Sequence, residues 1–378
     1  MATDVSSFKD AYKKAIESNF PKTASLTLGD QTYNFEAVDF KLRYGTNPHQ
    51  PFAAYRPIGR PLSIGAIEML KGGKEGLSLT NVQDMSQALN ILKYFDRRSC
   101  VSMKHINPCG FKEGIAGETT EEIYLDSRKG DDRSHFGSVV GFNYTVDGSM
   151  AKSIMESFVE CVIAPSYTDN SLEILRRNEG TKKLNNAIRV ARVANLDKIP
   201  KFVGDDVTGL YNIRNLADGT LTFETPYLTR IRSVTDFVTD PMIVTSDGKE
   251  HIATTPVTTG LIDDCLTAWY LNINTRSNGI VFVKDGMALT IETGQQERVG
   301  AVERGIQKAI QKGHDLEGAV MSSDGFFPQR DSIDAAAAAG IKGIVWPAGS
   351  QNDSFVIDAA NEHGIALLAT LERCFLHI

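Results

Sequence analysis

The stretch GAVMSSDGFFPQRDSIDAAAAAGIKGIVWPAGSQNDSFVIDAANEHGIALLA, residues 318–369, alternates short apolar runs with segments of helical character. This pattern predicts strand, helix, strand, helix and strand over residues 318–322, 332–339, 343–346, 353–363 and 365–369. Strands that alternate with helices are typical of a sheet with helices packed on its faces. The sequence therefore predicts an α/β fold.

The same alternation extends toward the amino terminus. It predicts helices over residues 4–20, 83–95, 171–177, 260–275 and 297–312, and strands over 100–103, 158–165, 279–284 and 288–292. Residues 24–40 are expected to form a hairpin with its turn at Gly29-Asp30, and 215–225 a further turn between strands. The basic residues Lys182, Lys183, Arg189 and Arg192 indicate a solvated face. A length of 378 residues favours two or three domains, and we place a boundary after residue 222.

Composition narrows the class of partner. The net charge is −7 with scattered Lys and Arg residues, which argues against a nucleic-acid groove. The five cysteines have no C-x-x-C spacing, as expected of reduced thiols rather than of a zinc site or a disulfide framework. No segment reaches the ~20 apolar residues that a membrane helix needs. We expect a cytoplasmic protein that binds a small molecule, with no nucleic-acid or membrane partner and no metal-ligating residues among its site residues.

The segment MKHINPCG, from Met103 to Gly110, carries the first chemical signal. Lys104 offers a cation for developing negative charge and His105 a base that works near neutral pH. Adjacent residues of a regular strand point to opposite faces, so both can serve one ligand only where the backbone breaks. We expect this break at Asn107-Pro108 and Gly110.

Further segments have a recognisable order along the chain. They are LRYGTNPHQ (42–50), RSNGIVFVKDG (276–286), TGQQERV (293–299) and SDGFFPQRDSID (323–334), followed by Arg373, Phe375 and His377. Together with the Lys-His pair, these segments resemble the AICAR transformylase part of the bifunctional purine-biosynthesis enzymes, from about Leu42 to the end. The resemblance implies two cytidine-deaminase-like three-layer α/β/α subdomains, with the Lys-His motif in 1–222 and the folate-side and C-terminal motifs in 223–378.

The activity implied by this resemblance is formyl transfer from 10-formyltetrahydrofolate to the amine of AICAR, without a covalent enzyme intermediate. The amine is a weak nucleophile because its lone pair is delocalised, so a base and an oxyanion stabiliser are needed. The resemblance assigns these roles to His105 and to Lys104, the latter as proton donor or oxyanion stabiliser. Asn278 matches a family residue that orients the carboxamide, and its amide can donate and accept at once.

The binding residues are likewise implied by the resemblance. Arg43, Tyr44 and Arg373 match the residues that hold the phosphate, and arginine suits this through its planar fork of donors. Asn81 and Glu160 are candidates for the ribose hydroxyls. Other substrate-binding candidates are Phe136, Gly137, Arg298, Phe375 and His377. The pterin is expected to lie against Phe326, Phe327 and Pro328, with Asp331 accepting from its amine and Phe136-Gly137 on the folate-facing side.

Several positions depart from the family pattern. Gln329 replaces a Phe, Glu292-Thr293 replaces Gly-Ala, and His135 replaces a small residue, so the donor pocket is expected to be reshaped. Formate with ATP therefore remains an alternative formyl source. No cyclohydrolase segment precedes the motifs, which leads us to expect a stand-alone transformylase whose product is cyclised by another enzyme. The resemblance further implies a homodimer with shared active sites and a structural K⁺.

Two other functions are considered. A zinc deaminase would need Pro-Cys-x-x-Cys, but Pro108-Cys109 is followed by Gly110 and Phe111 with no second Cys. A non-catalytic sensor of purine nucleotides would need the phosphate site but no base. The joint presence of Lys104, His105 and Asn278 favours the enzyme.

Overall fold

The structure, a computed structural model, describes residues 19–60, 64–73, 75–177, 186–194 and 196–377. The chain divides into two compact units, Met1–Ile199 and Pro200–Ile378. The helix predicted over residues 4–20 lies outside the described residues, apart from its last two positions.

The first unit begins with a small antiparallel sheet of three strands, β1 (Thr23–Leu28), β2 (Gln31–Ala37) and β3 (Tyr55–Pro57). Leu28 pairs with Gln31, so the turn between β1 and β2 lies at Gly29 and Asp30. Gly29 has a φ of 58°, a left-handed conformation that glycine adopts without steric cost. The predicted hairpin and its turn are confirmed.

The main sheet of the first unit has the strand order β6-β5-β7-β8-β9-β4. Its strands are β4 (Glu68–Lys71), β5 (Ser99–Lys104), β6 (Asn107–Glu113), β7 (Ser138–Phe142), β8 (Val159–Ala164) and β9 (Arg189–Arg192). β7, β8 and β9 run parallel to one another, whereas the other neighbours are antiparallel. Its helices are α1 (Leu79–Leu92), α2 (Thr120–Gly130), α3 (Asp132–His135), α4 (Gly148–Met155) and α5 (Asp169–Arg176).

Helices cover both faces of this sheet. Cys100 and its cross-strand partner Phe142 belong to a buried cluster that includes residues of α2, α4 and α5. The next pair, Val101 and Gly141, points to the opposite face, where a Cβ on Gly141 would lie 2.9 Å from the Cβ of Ala88 on α1. Alternation along the strands thus produces three layers, because successive side chains leave opposite faces. Each large apolar side chain buried in this way contributes roughly 1.5–3 kcal/mol.

The second unit repeats this plan with the strand order β15-β14-β16-β17-β18. Its main strands are β14 (Ile280–Lys284), β15 (Met287–Glu292), β16 (Val320–Ser323), β17 (Gly343–Trp346) and β18 (Ala366–Ala369). Its helices are α6 (Thr259–Asn272), α7 (Arg298–Gln311), α8 (Asp331–Ala338) and α9 (Asp353–His363). The elements predicted over 343–346 and 353–363 coincide with β17 and α9.

The two units match element by element. In each, a helix precedes an antiparallel hairpin, a second helix follows the hairpin, and two strand-helix steps lead to three parallel strands. In the second unit, α6 packs on the face opposite the main cluster, since a Cβ on Gly343 would lie 3.1 Å from Leu261. The predicted three-layer α/β/α architecture is therefore confirmed for both units.

The boundary between the two compact units follows Ile199, earlier than the predicted position after residue 222. The turn predicted in 215–225 joins β10 (Asn212–Asn215) to β11 (Leu221–Glu224). The chain on either side of this hairpin is tied together, because the Thr229 N–H donates to the Lys201 carbonyl and the Val203 N–H to the Thr229 carbonyl. Residues 201–229 therefore belong to the second unit. A further short hairpin there pairs β12 (Met242–Val244) with β13 (Glu250–Ile252).

Helix α1 begins at Leu79 rather than at residue 83. Ser78 caps it: the Ser78 side chain accepts from the Asn81 N–H at 3.2 Å, and the Asn81 side chain accepts from the Ser78 N–H at 3.2 Å. This reciprocal pair satisfies two backbone donors of the first turn. The cap matters for the site because it orients Asn81.

Candidate active site

A two-residue turn joins β5 to β6 and carries His105. Lys104 pairs with Asn107 at the end of the hairpin, and the intervening His105 and Ile106 have φ values of 56° and 64°. Two-residue hairpins favour such turns because their twist matches that of the strands. The prediction of a break at Asn107-Pro108 and Gly110 was wrong, since these residues lie within β6. The break falls on His105 and Ile106 instead.

Asp84 on α1 holds this turn. Its Oδ1 accepts from the Ile106 N–H at 2.6 Å, and the residue is only 7% exposed. Burial raises the pKa of Asp84 to about 6, with the nearby Glu160 carboxylate adding to the rise and His105 and the Ile106 N–H opposing it. Asp84 is not among the residues predicted from the sequence. The available signal was a carboxylate on the buried face of a helix that packs beside the Lys-His motif.

Lys104 and the predicted Phe136-Gly137 segment are in contact. The Lys104 ammonium donates to the Phe136 carbonyl at 2.6 Å, just after α3 ends. The half-exposed Phe136 ring packs against Phe158, with 5.1 Å between ring centroids. The Gly137 N–H donates to the Phe158 carbonyl at 2.7 Å. The structure therefore ties one cation to the backbone of a residue whose aromatic ring is accessible.

His135 lies in the interior rather than in a binding pocket. It is 1% exposed, and its ring nitrogens share hydrogen bonds with the Ser102 hydroxyl at 3.0 Å and the Tyr124 hydroxyl at 3.1 Å. Burial lowers the pKa of His135 to about 4. The ring is thus a neutral core histidine at pH 7. Because its side chain is buried, His135 does not line a pocket in the way that the expected reshaping of the donor pocket required.

Arg43 and Tyr44 lie beside the amino end of α1. The Arg43 N–H donates to the Leu77 carbonyl at 2.7 Å, and the Leu79 N–H donates to the Tyr44 carbonyl at 2.9 Å. The Arg43 guanidinium lies 4.4 Å from the centroid of the Tyr44 ring. Burial, and next the charge of Arg189, lower the pKa of Arg43. A buried cation near a second cation is well placed to bind an anion.

The two residues predicted for the ribose contact each other. The Asn81 side chain donates to Glu160 Oε2 at 2.8 Å, from the first turn of α1 to strand β8. The Asn81 side-chain oxygen already accepts from the Ser78 N–H in the helix cap. Glu160 is therefore the member of this pair with acceptor capacity left for a hydroxyl.

The interpretation of Arg189 as part of a solvated face was wrong. Arg189 is 3% exposed, and its Nε donates to the Gly76 carbonyl at 2.7 Å. It is buried because β9 lies between β8 and β4 rather than at an edge of the sheet. Arg192, at the other end of β9, does pair with exposed Glu68 at 2.9 Å. Lys182 and Lys183 lie outside the described residues.

In the second unit, Arg298 forms a buried ion pair with Asp324 at the start of α7. Asp324 is fully buried and also accepts from the Ser277 hydroxyl at 2.6 Å. The space around this pair is tight, because a Cβ on Gly325 would lie 2.5 Å from an Arg298 guanidinium nitrogen. Arg298 is therefore held in one orientation by a carboxylate that cannot reach solvent.

The C-terminal residues named from the sequence gather with Arg298 around the Phe375 ring. The Phe375 ring lies 5.7 Å from the Arg298 guanidinium and 4.8 Å from that of Arg373, and its centroid is 6.0 Å from that of His377. The Ser277 N–H donates to the Leu376 carbonyl at 3.1 Å, which fastens the tail. The structure thus brings together Arg298, Arg373, Phe375 and His377.

Asn278 is anchored next to this tail. Its amide donates to the carbonyls of Gln295 and Gln296 at 2.9 and 3.2 Å, just before α7. Both bonds use the amide nitrogen, so the amide oxygen is the group of Asn278 that can orient a ligand. Glu292, one of the departures from the family pattern, accepts from the Gln295 side chain at 3.3 Å.

The predicted pterin-facing residues separate into two groups. Phe327 is fully buried in the hydrophobic core of the second unit, so its assignment to a folate surface was wrong. Phe326 is 42% exposed, and Pro328, Gln329 and Asp331 are also exposed. Adjacent aromatic residues commonly divide in this way, because only one of them can face the core. Asp331 accepts from the Ser332 N–H at 2.7 Å at the start of α8.

Fold and sites together define a duplicated α/β/α protein with buried arginines suited to a small anionic ligand. The sequence model of the AICARFT/IMPCHase bienzyme matches residues 1–308, and the chain belongs to this family. The bifunctional purine biosynthesis protein PurH of Persephonella marina is 36% identical over 97% of this chain and 63% of its own length. That of Caldicellulosiruptor saccharolyticus is 36% identical over 89% of this chain and 59% of its own length. The chain thus spans about three fifths of these relatives.

Among solved structures, a diaminohydroxyphosphoribosylaminopyrimidine deaminase/reductase from Thermotoga maritima is 26% identical over 26% of this chain and 32% of its own, with a TM-score of 0.21. Within the described ranges, none of the helices combines the length and apolar character that a bilayer crossing requires. In the same part of the chain, no group of three or more His, Cys, Asp or Glu side chains is arranged to hold a metal ion.

Proposed function

We propose that the protein transfers a formyl group from 10-formyltetrahydrofolate to the amine of AICAR, yielding formyl-AICAR and tetrahydrofolate. The observation that carries this proposal is membership of the AICARFT/IMPCHase family over residues 1–308. The Lys104-His105 pair lies in this range, where β5 ends in a turn clamped by a buried carboxylate. The two units are proposed to be cytidine-deaminase-like, as the family resemblance implies.

In the proposed reaction, the amine nitrogen of AICAR bonds to the formyl carbon while the bond from that carbon to N10 of the folate breaks. His105 takes the proton that leaves the amine. Lys104 stabilises the oxyanion or donates the proton that N10 acquires. Both tasks are needed, because a delocalised amine attacks slowly unless its proton is removed and the developing charge is neutralised.

The nucleotide is proposed to bind through its phosphate and ribose. Arg43, stacked on Tyr44, is the cation in the first unit, and buried Arg189 acts on it electrostatically. Two buried guanidinium groups suit a dianionic phosphate. The two cations repel each other in a low-dielectric site, and a phosphate bound near them offsets this repulsion. Glu160, with Asn81 donating to it, can accept from a ribose hydroxyl. Arg373 is assigned to the phosphate as well.

The folate is proposed to use the exposed part of the second-unit motif. Phe326 offers an accessible aromatic surface, and Asp331 an acceptor for the pterin amine. Phe136 and Gly137 are assigned to substrate binding on the folate-facing side, and Arg298, Phe375 and His377 to substrate binding around the C-terminal tail. Asn278 is proposed to orient the carboxamide through its amide oxygen.

The cellular setting is part of the proposal. The cytoplasmic location is proposed from the cysteine pattern, which fits reduced thiols. The resemblance implies a homodimer with active sites shared between subunits, and a structural K⁺ on which no step of the mechanism depends. Production of IMP from formyl-AICAR is a separate ring closure.

The test is an assay of the purified protein with AICAR and 10-formyltetrahydrofolate, following tetrahydrofolate release by absorbance. Release that depends on AICAR is expected. A second assay replaces the folate with formate and ATP, because Gln329 and Glu292 depart from the family pattern near the donor. Binding of AICAR without product in either assay would contradict an enzyme and indicate a nucleotide sensor.

A further inference from the structure

The duplicated fold contains two equivalent hairpin turns, one in each unit. The β5–β6 turn has His105 and Ile106 at φ values of 56° and 64°. The β14–β15 turn has Asp285 and Gly286 at 52° and 71°. Both turns therefore have two successive left-handed residues, as hairpin turns of this length favour.

The same supporting contacts occur in both units. In the first, Asp84 of α1 accepts from the Ile106 N–H at 2.6 Å. In the second, Asp264 of α6 accepts from the N–H groups of Asp285 and Gly286 at 2.8 and 2.7 Å. Each carboxylate comes from the helix that precedes its hairpin, and burial raises the pKa of both.

The lysine at the end of the first hairpin strand is also duplicated. Lys104 donates to the Phe136 carbonyl at 2.6 Å, and Lys284 donates to the Glu317 carbonyl at 2.6 Å. The lysine contact and the carboxylate clamp are thus common features of the scaffold. What distinguishes the first unit is the tip of its turn, which has His105 and Ile106 in place of Asp285 and Gly286.

Ile106 is an unfavourable residue for its conformation. A left-handed φ costs a residue with a Cβ roughly 1–2 kcal/mol, and β-branched side chains tolerate it least, whereas Gly286 adopts it freely. The β5–β6 turn therefore depends more on its clamp than the β14–β15 turn does. Without the Asp84 acceptor, the Ile106 N–H would lose its partner and the backbone at His105 would be free to relax.

We propose that Asp84 is the positioning residue of His105: by accepting from the Ile106 N–H it keeps the turn in the one conformation that aims the imidazole. The inference rests on the proposed function, in which His105 is the base. Asp264 is the matching clamp in the second unit and has no such task. The titratable groups that act on Asp84 are His105 on the turn and Glu160 and Cys161 on β8.

The experiment compares Asp84→Ala with Asp264→Ala in the full chain. Asp84→Ala is expected to lower kcat by about 10- to 100-fold, as a displaced catalytic group does, with the KM for AICAR changed less than about threefold. Asp264→Ala is expected to lose stability without a comparable loss of kcat. Equal kcat values for the two variants, normalised to folded protein, would overturn the proposal.

A second substitution separates positioning from a general folding defect. Ile106→Gly removes the side chain that disfavours the left-handed turn, so adding it to Asp84→Ala is expected to recover part of the lost kcat. Asp84→Asn keeps an acceptor oxygen and is expected to lose less kcat than Asp84→Ala. Failure of both to exceed Asp84→Ala alone would show that the hydrogen bond to the turn is not what matters.

A readout independent of turnover distinguishes this inference from the proposed function. The imidazole resonance of His105, assigned with a His105→Gln variant, is expected to shift or broaden in Asp84→Ala and to stay in place in Asp264→Ala. If the wild-type protein transfers no formyl group, the proposed function fails while this spectrum still reports on the clamp. An unchanged His105 resonance in Asp84→Ala would contradict the positioning role itself.

Discussion

At the scale of single residues, the proposed chemistry depends on a base and a cation at the tip of one hairpin. His105 is exposed at this tip, whereas Lys104 is partly buried and bonded to a backbone carbonyl. An exposed imidazole can reach a substrate, and a tethered ammonium keeps its position while charge develops. His105 is therefore accessible to a substrate whereas Lys104 is held in place, although the two residues are neighbours in the chain.

Removing either group should abolish turnover while leaving the nucleotide site largely intact. Lys104→Ala and His105→Ala are each expected to lower kcat by at least about 100-fold, because general-base and oxyanion contributions are typically of this size. AICAR affinity, measured by calorimetry, should change little, since Arg43, Asn81 and Glu160 remain. Wild-type turnover in either variant would remove that residue from the mechanism.

The buried carboxylate of Asp84 should make stability depend on pH in a defined direction. Its pKa is about 6 in the folded state against an ordinary value of 3.8, so the ionised form is disfavoured by folding. The folded state is therefore favoured by this group below pH 3.8 and loses that contribution as the pH rises through about 6. The Asp84→Asn side chain cannot ionise. Between pH 4 and pH 8, the free energy of unfolding of this variant should therefore rise relative to that of the wild type by up to about 3 kcal/mol.

Urea unfolding of both proteins across this pH range measures the difference. Asp264→Asn is the control for a raised carboxylate in the second unit, where burial also raises the pKa. A difference between wild type and Asp84→Asn that stays constant with pH would mean that Asp84 titrates at its ordinary value in the folded protein.

At the scale of elements, helix α1 connects stability with the substrate site. Its capping pair, Ser78 and Asn81, starts the helix, and the same Asn81 donates to Glu160 on β8. Asp84 lies on the next turn and clamps the hairpin. One helix thus orients both the candidate ribose site and the turn that carries the base.

Loss of this cap should affect binding as well as folding. Ser78→Ala is expected to cost about 1 kcal/mol of unfolding free energy and to raise the KM for AICAR, because Asn81 loses the contact that orients its backbone. Thr119→Ala makes the equivalent change in α2, whose capping pair is formed by Thr119 and Glu122. It should cost similar stability without changing KM. Equal KM values for the two variants would show that the cap of α1 does not affect substrate binding.

At the scale of the whole molecule, two similar units carry different sets of candidate groups. The first holds Lys104, His105 and the Arg43 cluster, and the second holds Asn278 and the Arg298 cluster. Symmetric homodimers present every contact twice, so a site shared between subunits would also occur twice. The proposed homodimer can therefore be tested by function rather than by size alone.

Mixed dimers provide this test. Lys104→Ala and Arg298→Ala are each expected to be inactive alone. If a site takes these residues from different subunits, a mixture that is allowed to exchange subunits should recover up to about a quarter of wild-type activity, since half of the dimers would hold one intact site. Recovery is measured with the tetrahydrofolate assay after mixing. A mixture that stays inactive although its subunits have exchanged would show that both residues serve a site from the same subunit.

The α/β class and the strand-helix order were accessible from the sequence, which also supplied Lys104, His105 and three arginines as candidates for the site. Periodicity shows which segments are strands or helices, and motifs keep their residue types wherever they fold. Three matters required the tertiary structure: the break at His105-Ile106, the burial of Arg189 and Phe327, and the clamp from Asp84. Each depends on how helices and strands pack against one another, and local sequence patterns do not encode contacts between residues that are distant in the chain.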